Sequence, residues 1–182
     1  MEELIAFDTW LFLILNFHFH SPLLDDAMRF ATEKSTWYIP GGILVLWLLL
    51  KGGRRGQLLV LFLILGVVIS DQFTSGLMKP WFERMRPCKA LSGFRLLDHC
   101  GSLYGFPSSH AANSAVVATL GALILKRCKF VWAALAALIG YSRIYVGVHY
   151  PGDVLVGWIV GILIAVGLLY AYRYVADRYA LS

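Results

Sequence analysis

Apolar residues run almost unbroken over 41–50, 58–69, 115–125 and 154–172, and short charged or glycine-rich stretches separate them. A helix needs about 20 predominantly apolar residues to cross a bilayer. The run at 154–172 is close to that length by itself, and the others reach it with their flanks. A first helix is expected over 4–19, apolar and aromatic but interrupted by Asp8, Asn16 and His18, and Ser21-Pro22 breaks it. Residues 24–34, with Asp25, Asp26, Arg29, Glu33 and Lys34, have the amphipathic pattern of a segment lying at an interface. Further helices are expected over 37–50, 57–78, 108–125, 130–146 and 151–172, and 79–106 reads as a long polar loop. No internal repeat and no linker breaks the chain, so 1–182 is expected to be one domain. The predicted fold is all-α, a six-transmembrane-helix bundle with a long active-site loop between helices 3 and 4.

Composition agrees with this pattern. With 59% hydrophobic and 15% charged residues and a mean hydropathy of +0.68, the chain is not an ordinary soluble domain. The net charge of +5 does not point to nucleic acid, because the basic residues sit in short clusters between apolar segments. Residues 51–55 carry Lys51, Arg54 and Arg55, and 126–129 carry Lys126, Arg127 and Lys129, with no acid in either. Six crossings put these two loops and both termini on one face, which their charge makes cytoplasmic. The opposite face receives the loop after Lys79, the start of the helix near Ser108, and the turn from Arg143 to Asp153. Met1-Glu2-Glu3 offers no basic leader region, so no removed signal peptide is expected.

Three polar clusters therefore converge on the outer face: 79–87, Pro107-Ser108-Ser109-His110, and Ser142-Arg143 with His149 and Asp153. Ser108 suits an N-cap, and the free N–H groups of the first turn behind it make an anion site. His149 and Asp153, four apart around Pro151, are spaced so that the carboxylate can orient one imidazole nitrogen and leave the other as a nucleophile. Lys79, Arg86 and Arg143 supply positive charge for phosphate oxygens, the arginines with bidentate geometry. His110 is suited to protonating a leaving oxygen. Phosphoryl transfer rests chiefly on positioning and electrostatics, so this inventory fits it without a metal. The bland reading is that His149 and Asp153 are a structural pair capping a helix.

The ordered pattern Lys79…Arg86-Pro87, Pro107-Ser108-Ser109-His110 and Ser142-Arg143…His149…Asp153 resembles the three-part signature of the type 2 phosphatidic acid phosphatase (PAP2) superfamily. One position departs from it, Ser109 for glycine, a small-for-small change. The resemblance implies that His149 attacks phosphorus to form a phosphohistidine, assisted by Asp153, and that His110 acts as the acid and then helps activate water. It further implies that Lys79, Arg86, Ser108, Ser109 and Arg143 bind phosphate, with no metal or other cofactor. Size and layout look like the small bacterial members, which include undecaprenyl-diphosphate, phosphatidylglycerophosphate and lipid A 1-phosphate phosphatases. The expected protein is thus a multi-pass lipid phosphatase of the bacterial inner membrane, its site facing the periplasm. Its expected partners are the bilayer and a lipid phosphate or diphosphate. Lipid A 1-phosphate and undecaprenyl diphosphate are favoured over phosphatidic acid or phosphatidylglycerophosphate, and oligomeric state is left open. A lipid transporter or flippase without hydrolytic activity is the alternative, but the polar residues gather at helix ends, not at broken helices near the midplane.

An acid inside a membrane helix is a functional candidate by default. Asp71, Ser75 and Lys79 follow at i, i+4 and i+8 and share one helical face, so Asp71 is expected to orient polar side chains beneath the site. Arg84 and Lys89 read as solvated or headgroup-contacting residues, with substrate phosphate as the alternative, and Arg95 and His99 read the same way. His18 and His20 read as interfacial residues near a helix end. Cys88 and Cys100 share the outer face and are expected to form a disulfide that staples the loop. Two free thiols that merely pack is the other possibility.

Overall fold

The computed structural model describes residues 2–124 and 126–179. In chain order it contains α1 (Glu2–Phe17), α2 (Pro22–Thr32), a 3-10 turn (Lys34–Trp37), α3 (Tyr38–Lys51) and α4 (Gly53–Asp71). Next come a π-helical stretch (Gln72–Met78), α5 (Lys79–Phe82), α6 (Pro87–Ala90), α7 (Ser109–Ile124), a second 3-10 turn (Lys126–Cys128), α8 (Lys129–Tyr145) and α9 (Pro151–Arg178). No β-strand occurs among the described residues; Met85 and Tyr104 form one isolated bridge across the 83–108 connection. The expected N-terminal helix ends two residues earlier than the pattern suggested. The last extends six residues further, because Arg173, Asp177 and Arg178 lie on its exposed flank and do not interrupt it.

The 57–78 expectation is corrected more substantially. The helix starts at Gly53, directly after α3, and runs through the π-helical stretch to Phe82, so Lys79 stands on a helix end and not in the loop. Two segments, Gly53–Phe82 and Pro151–Arg178, are long and apolar enough to cross a membrane, with mean hydropathies of 2.0 and 2.5. α1, α3, α7 and α8, at 14 to 17 residues, are shorter than a typical span. The outward faces of α1, α3 and α8 expose Phe7, Ile39, Leu46, Val131 and other large apolar side chains, as a lipid-facing surface does.

α7 is central, packed against α4, α8 and α9. Its approach to α9 is close because that contact is built from small residues: a Cβ on Gly157 would come within 2.6 Å of the Ser108 carbonyl oxygen. Leu59, Val60 and Leu63 of α4 meet Val116 and Leu120 of α7 and Ala165 and Leu169 of α9 in the largest core cluster. Phe12 of α1 lies fully buried against Phe94 and Tyr150, near the start of α9.

α2 has the expected amphipathic form, one face buried and the other exposed. Ser21 caps it, and Met28, Ala31 and Thr32 are buried. Asp25 pairs with Arg95 at 2.7 Å and accepts a hydrogen bond from the Tyr145 hydroxyl at 2.5 Å. That pairing holds the Asp25 carboxyl below the usual carboxylate range and raises Arg95. Arg95 is thereby a structural clamp on α2 and not a headgroup contact. His20 lies in the turn after α1, where its Nδ1 meets the Phe17 carbonyl at 2.8 Å.

Candidate active site

α7 and α9 start at the same end of the bundle, and the Ser108 amide donates to the Asp153 carbonyl at 2.9 Å. The end of α8 and the helix end carrying Lys79 reach the same place, so all three polar clusters meet there. Gly147, with φ of +88°, turns the chain out of α8, and the amides of Val148 and His149 both donate back to the Arg143 carbonyl at 3.2 Å. This tight return fixes His149 just before α9.

The His149 side chain is buried, and its two nitrogens have different partners. Nδ1 lies 3.2 Å from Asp153 Oδ2, and Nε2 lies 2.9 Å from Arg86 Nη1. A guanidinium can only donate, so Nε2 must accept and the proton belongs on Nδ1. Burial holds the imidazole well below the usual histidine range, and the cations of Arg86, Arg143, Lys79 and Arg84 act in the same direction. The imidazole is therefore neutral at physiological pH, with an Nε2 lone pair aimed at cations. Asp153, fully buried, also caps α9: its Oδ2 accepts from the Tyr150 amide at 3.0 Å.

Arg86 is fixed through most of its nitrogens. Nε donates to the Ser102 carbonyl at 2.8 Å, Nη1 to the Val148 carbonyl at 3.2 Å, and Nη2 to Ser102 Oγ at 3.3 Å. Cys88 and Cys100 are joined by a disulfide that ties together the stretches supplying Arg86 and Ser102. The covering loop approaches closely at Gly105, where a Cβ would stand 3.0 Å from Arg86 Cγ and 3.3 Å from Asp153 Oδ2. A side chain at 105 would crowd the pair, so glycine suits the position for space and not for φ.

Ser109 opens α7 and gathers a second group. Its Oγ accepts from Lys79 Nζ at 2.9 Å and lies 2.8 Å from Thr74 Oγ1 and 2.9 Å from Ser75 Oγ. Ser108 is fully buried, and its Oγ accepts from the Ala111 amide at 3.4 Å in the manner of an N-cap. His110, on the first turn of α7, is partly buried and within electrostatic range of His149, Arg143 and Lys79. Arg143 is buried on the other flank, bonded to Thr32 Oγ1 and paired with Asp98 at 3.2 Å, and its Nε is buried without a partner.

Asp71 meets Asn113 Nδ2 at 3.5 Å, while Thr74 and Ser75 are the groups that touch Ser109. Thr74, fully buried, stands three residues after Asp71 and so shares the helical face that the i+4 spacing gives Ser75. That i+3 spacing is the sequence signal that could have found it. Arg84 is placed by the structure in a role other than the expected solvated one. It spans two carboxylates, donating to Asp153 Oδ1 at 2.8 Å and to Asp8 Oδ2 at 2.6 Å. Asp8 reads from sequence as an interruption in an apolar helix, and only α1's packing against α9 brings it here. The Lys89 amide donates to the Arg86 carbonyl at 2.9 Å, but among the described residues neither its side chain nor His99 bonds the site's cations or histidines.

The geometry, a buried neutral imidazole oriented by a carboxylate and ringed by cations at the mouth of a helix N-terminus, suits nucleophilic attack on a phosphate. The chain is similar to known phosphatases. The PAP2 superfamily profile matches residues 58–177. A lipid A 4'-phosphatase of Porphyromonas gingivalis is 32% identical over 98% of this chain and 78% of its own length. An undecaprenyl-diphosphatase of Sulfolobus acidocaldarius is 30% identical over 88% and 76%. The crystal structure of LpxE from Aquifex aeolicus superposes with a TM-score of 0.69 at 28% identity, covering 89% of this chain and 94% of that one. With three ordered motifs assembled in one site and a profile match across most of its length, the chain belongs to the PAP2 superfamily of membrane lipid phosphatases.

Proposed function

We propose that this protein hydrolyses the phosphate of a membrane lipid, with no metal, through a phosphohistidine on His149. The observation that carries the reading is the division of labour on one imidazole: a carboxylate on Nδ1 and a cation's N–H on Nε2. Substrate phosphate takes over the Arg86 N–H and frees the Nε2 lone pair, which attacks phosphorus in line with the lipid oxygen. The phosphorus–oxygen bond breaks, and the lipid oxygen takes a proton from His110. Water then attacks the phosphohistidine, gives its proton to His110, and releases inorganic phosphate. Lys79, Arg86, Arg143, Ser108, Ser109 and the first-turn amides of α7 bind the non-bridging oxygens. Asp153 keeps the proton on Nδ1 and stabilises the cation that forms, and Asp71 supports the polar face beneath Lys79.

The domain is a single unit of six crossings. Its termini are cytoplasmic and its site faces the periplasmic side of a bacterial inner membrane, as loop charge favours. A lipid A phosphate is the preferred substrate, since a lipid A 4'-phosphatase matches nearly the whole chain. Undecaprenyl diphosphate is the second reading, favoured by the match to an undecaprenyl-diphosphatase.

Phosphate release from lipid A bearing a 1- or a 4'-phosphate, undecaprenyl diphosphate, phosphatidylglycerophosphate and phosphatidic acid, with and without EDTA, tests this. Release is expected to persist in EDTA and to fall by about a thousandfold or more in His149→Ala. Activity abolished by EDTA removes the metal-free route, and an active His149→Ala removes the nucleophile. Lipid movement without phosphate release would favour a transporter. A reporter after Ser182 that is exposed outside the cell would overturn the orientation.

A further inference from the structure

Two charged residues that the three-part signature does not specify, Asp8 and Arg84, complete the environment of His149. The chain leaves α5 through Glu83, which adopts the left-handed conformation with φ of +47°, and then runs extended past Met85, bridged to Tyr104. Residues two apart in an extended segment project to one side. Arg84 and Arg86 accordingly both enter the site, Arg86 on His149 and Arg84 on Asp153. Arg84 is the described partner of Asp153 Oδ1, the oxygen that His149 and Tyr150 do not use. Its guanidinium carbon lies 4.2 Å from the centre of the Tyr150 ring, so the planar group is stacked as well as bonded. Its other terminal nitrogen reaches Asp8 on α1, and Asp8 Oδ1 accepts the Gly152 amide from the first turn of α9 at 2.8 Å. Asp8 comes close enough there that a Cβ on residue 152 would lie 2.7 Å from its carboxylate.

We infer that Asp8 and Arg84 are positioning residues for the reaction, an Asp8–Arg84–Asp153 relay that fixes the carboxylate behind His149 and sets how much of its negative charge the imidazole feels. This rests on the hydrolase reading of His149. Arg84 alone would neutralise Asp153 and weaken its hold on the Nδ1 proton. Asp8 divides the guanidinium's charge between two carboxylates, so Asp153 keeps more of its own against His149. The other charged groups around the imidazole are Arg86 of the covering loop, Arg143 of α8 and Lys79 beyond α4, with His110 of α7 also in range. All three of those fixed charges are positive. Asp153 is the carboxylate bonded to the imidazole, and Asp8 acts on it through Arg84.

The test combines kinetics with spectroscopy on the full chain in detergent micelles. Asp8→Asn keeps an oxygen for the Gly152 amide and removes both the charge and the acceptor for Arg84; Arg84→Met removes the relay, and Arg84→Lys keeps the charge without the fork. With the lipid substrate found in the panel above, Asp8→Asn is expected to lower kcat by about tenfold with KM changed less than about twofold, Arg84→Met to lower it further, and Arg84→Lys to recover part of the loss. A KM that rises while kcat holds would overturn the relay, since Arg84 would then be a phosphate ligand. Nitrogen-15 NMR of labelled histidine at pH 8, with the His149 signals assigned by their loss in His149→Ala, reads the tautomer directly. The wild type is expected as Nδ1–H; Asp8→Asn, which leaves the Arg84 charge wholly on Asp153, is expected to shift signal toward the Nε2–H form, and Arg84→Met, which takes that cation away, to hold the Nδ1–H form. Unchanged His149 signals in Asp8→Asn would refute the relay, whether or not the protein hydrolyses the lipid. Full hydrolysis by His149→Ala would refute only the nucleophile, leaving the spectra to decide on Asp8 and Arg84.

Discussion

Asn16 is fully buried in α1 and joins three parts of the fold. Its Nδ2 donates to the carbonyls of Arg95 at 2.9 Å and Tyr145 at 2.8 Å, and its Oδ1 accepts from the Arg95 amide at 2.8 Å. Those three bonds tie the 94–98 segment of the loop to the end of α8, beside the Leu97 amide bonded to the Val146 carbonyl at 3.0 Å. Asn16→Ala removes all three at about 1 kcal/mol each, and the part-buried Arg95 amide, left without its acceptor, adds at most about 1 kcal/mol more. The expected loss is therefore about 3 to 4 kcal/mol. An SDS titration in mixed micelles, followed by tryptophan fluorescence, measures it. The same segment carries Asp98, which pairs with Arg143, so phosphate release should fall together with stability. A loss below about 1 kcal/mol would refute the reasoning, because it would mean that water or a shifted loop satisfies these backbone groups without Asn16. Asn16→Asp separates the two halves of the effect: it keeps the acceptor for the Arg95 amide and places a carboxylate against two carbonyls. It should be at least as damaging as alanine.

Three further outcomes follow from the site and its loop. Breaking the disulfide in Cys88→Ser, whose partner lies 12 residues away, should cost about 3 kcal/mol and raise KM by loosening Arg86, read by SDS titration and by phosphate release with and without reductant. His149 is held neutral in the fold, so below about pH 6.5 the unfolded chain binds a proton that the folded chain does not. Stability should be full above that pH and fall as pH drops from there toward the lowered folded value; comparing titrations at pH 8 and pH 5.5 checks it, and His149→Gln should lessen the difference. Asp98→Asn removes the carboxylate that competes with phosphate for Arg143, so the inhibition constant for free phosphate should fall by about two- to fivefold, and a rise would show that Asp98 positions the arginine instead.

Much of this site is legible in the residues because its parts lie at helix ends. Ser108 before an apolar run, Pro151 opening another, and His149 four residues before Asp153 are local patterns whose geometry hardly depends on the rest of the fold. Charge counting then puts their loops on a common face. What could not be read depends on the third dimension. Asp8 and Arg84 lie 76 residues apart and meet only because α1 packs on the start of α9. Thr74 shares its helical face with Asp71 and Ser75, and only the packing of that stretch on α7 decides that it bonds Ser109. Arg95 and Asp25, both expected near water or headgroups, find each other across the loop–α2 contact. Polar residues in an apolar chain flag importance reliably, but a partner distant in sequence has no local signature.

The pairings of the resting site bear on how the proposed reaction begins. Each cation intended for phosphate already has an internal partner: Lys79 on Ser109 and Ser75, Arg143 on Thr32 and Asp98, Arg86 on His149. Such partners offset the desolvation of buried cations while no substrate is bound. For Lys79 and Arg143 the exchange for phosphate oxygens is a competition that tunes affinity. For Arg86 it is more, because the lone pair it occupies on Nε2 is the one that must attack. Binding the anion and uncovering the nucleophile are then a single event. An imidazole whose lone pair is covered until phosphate arrives is protected from protonation and from bystander electrophiles. The Asp8–Arg84–Asp153 relay completes the logic from the other side, holding Nδ1–H in place so that the nitrogen uncovered is the one without a proton.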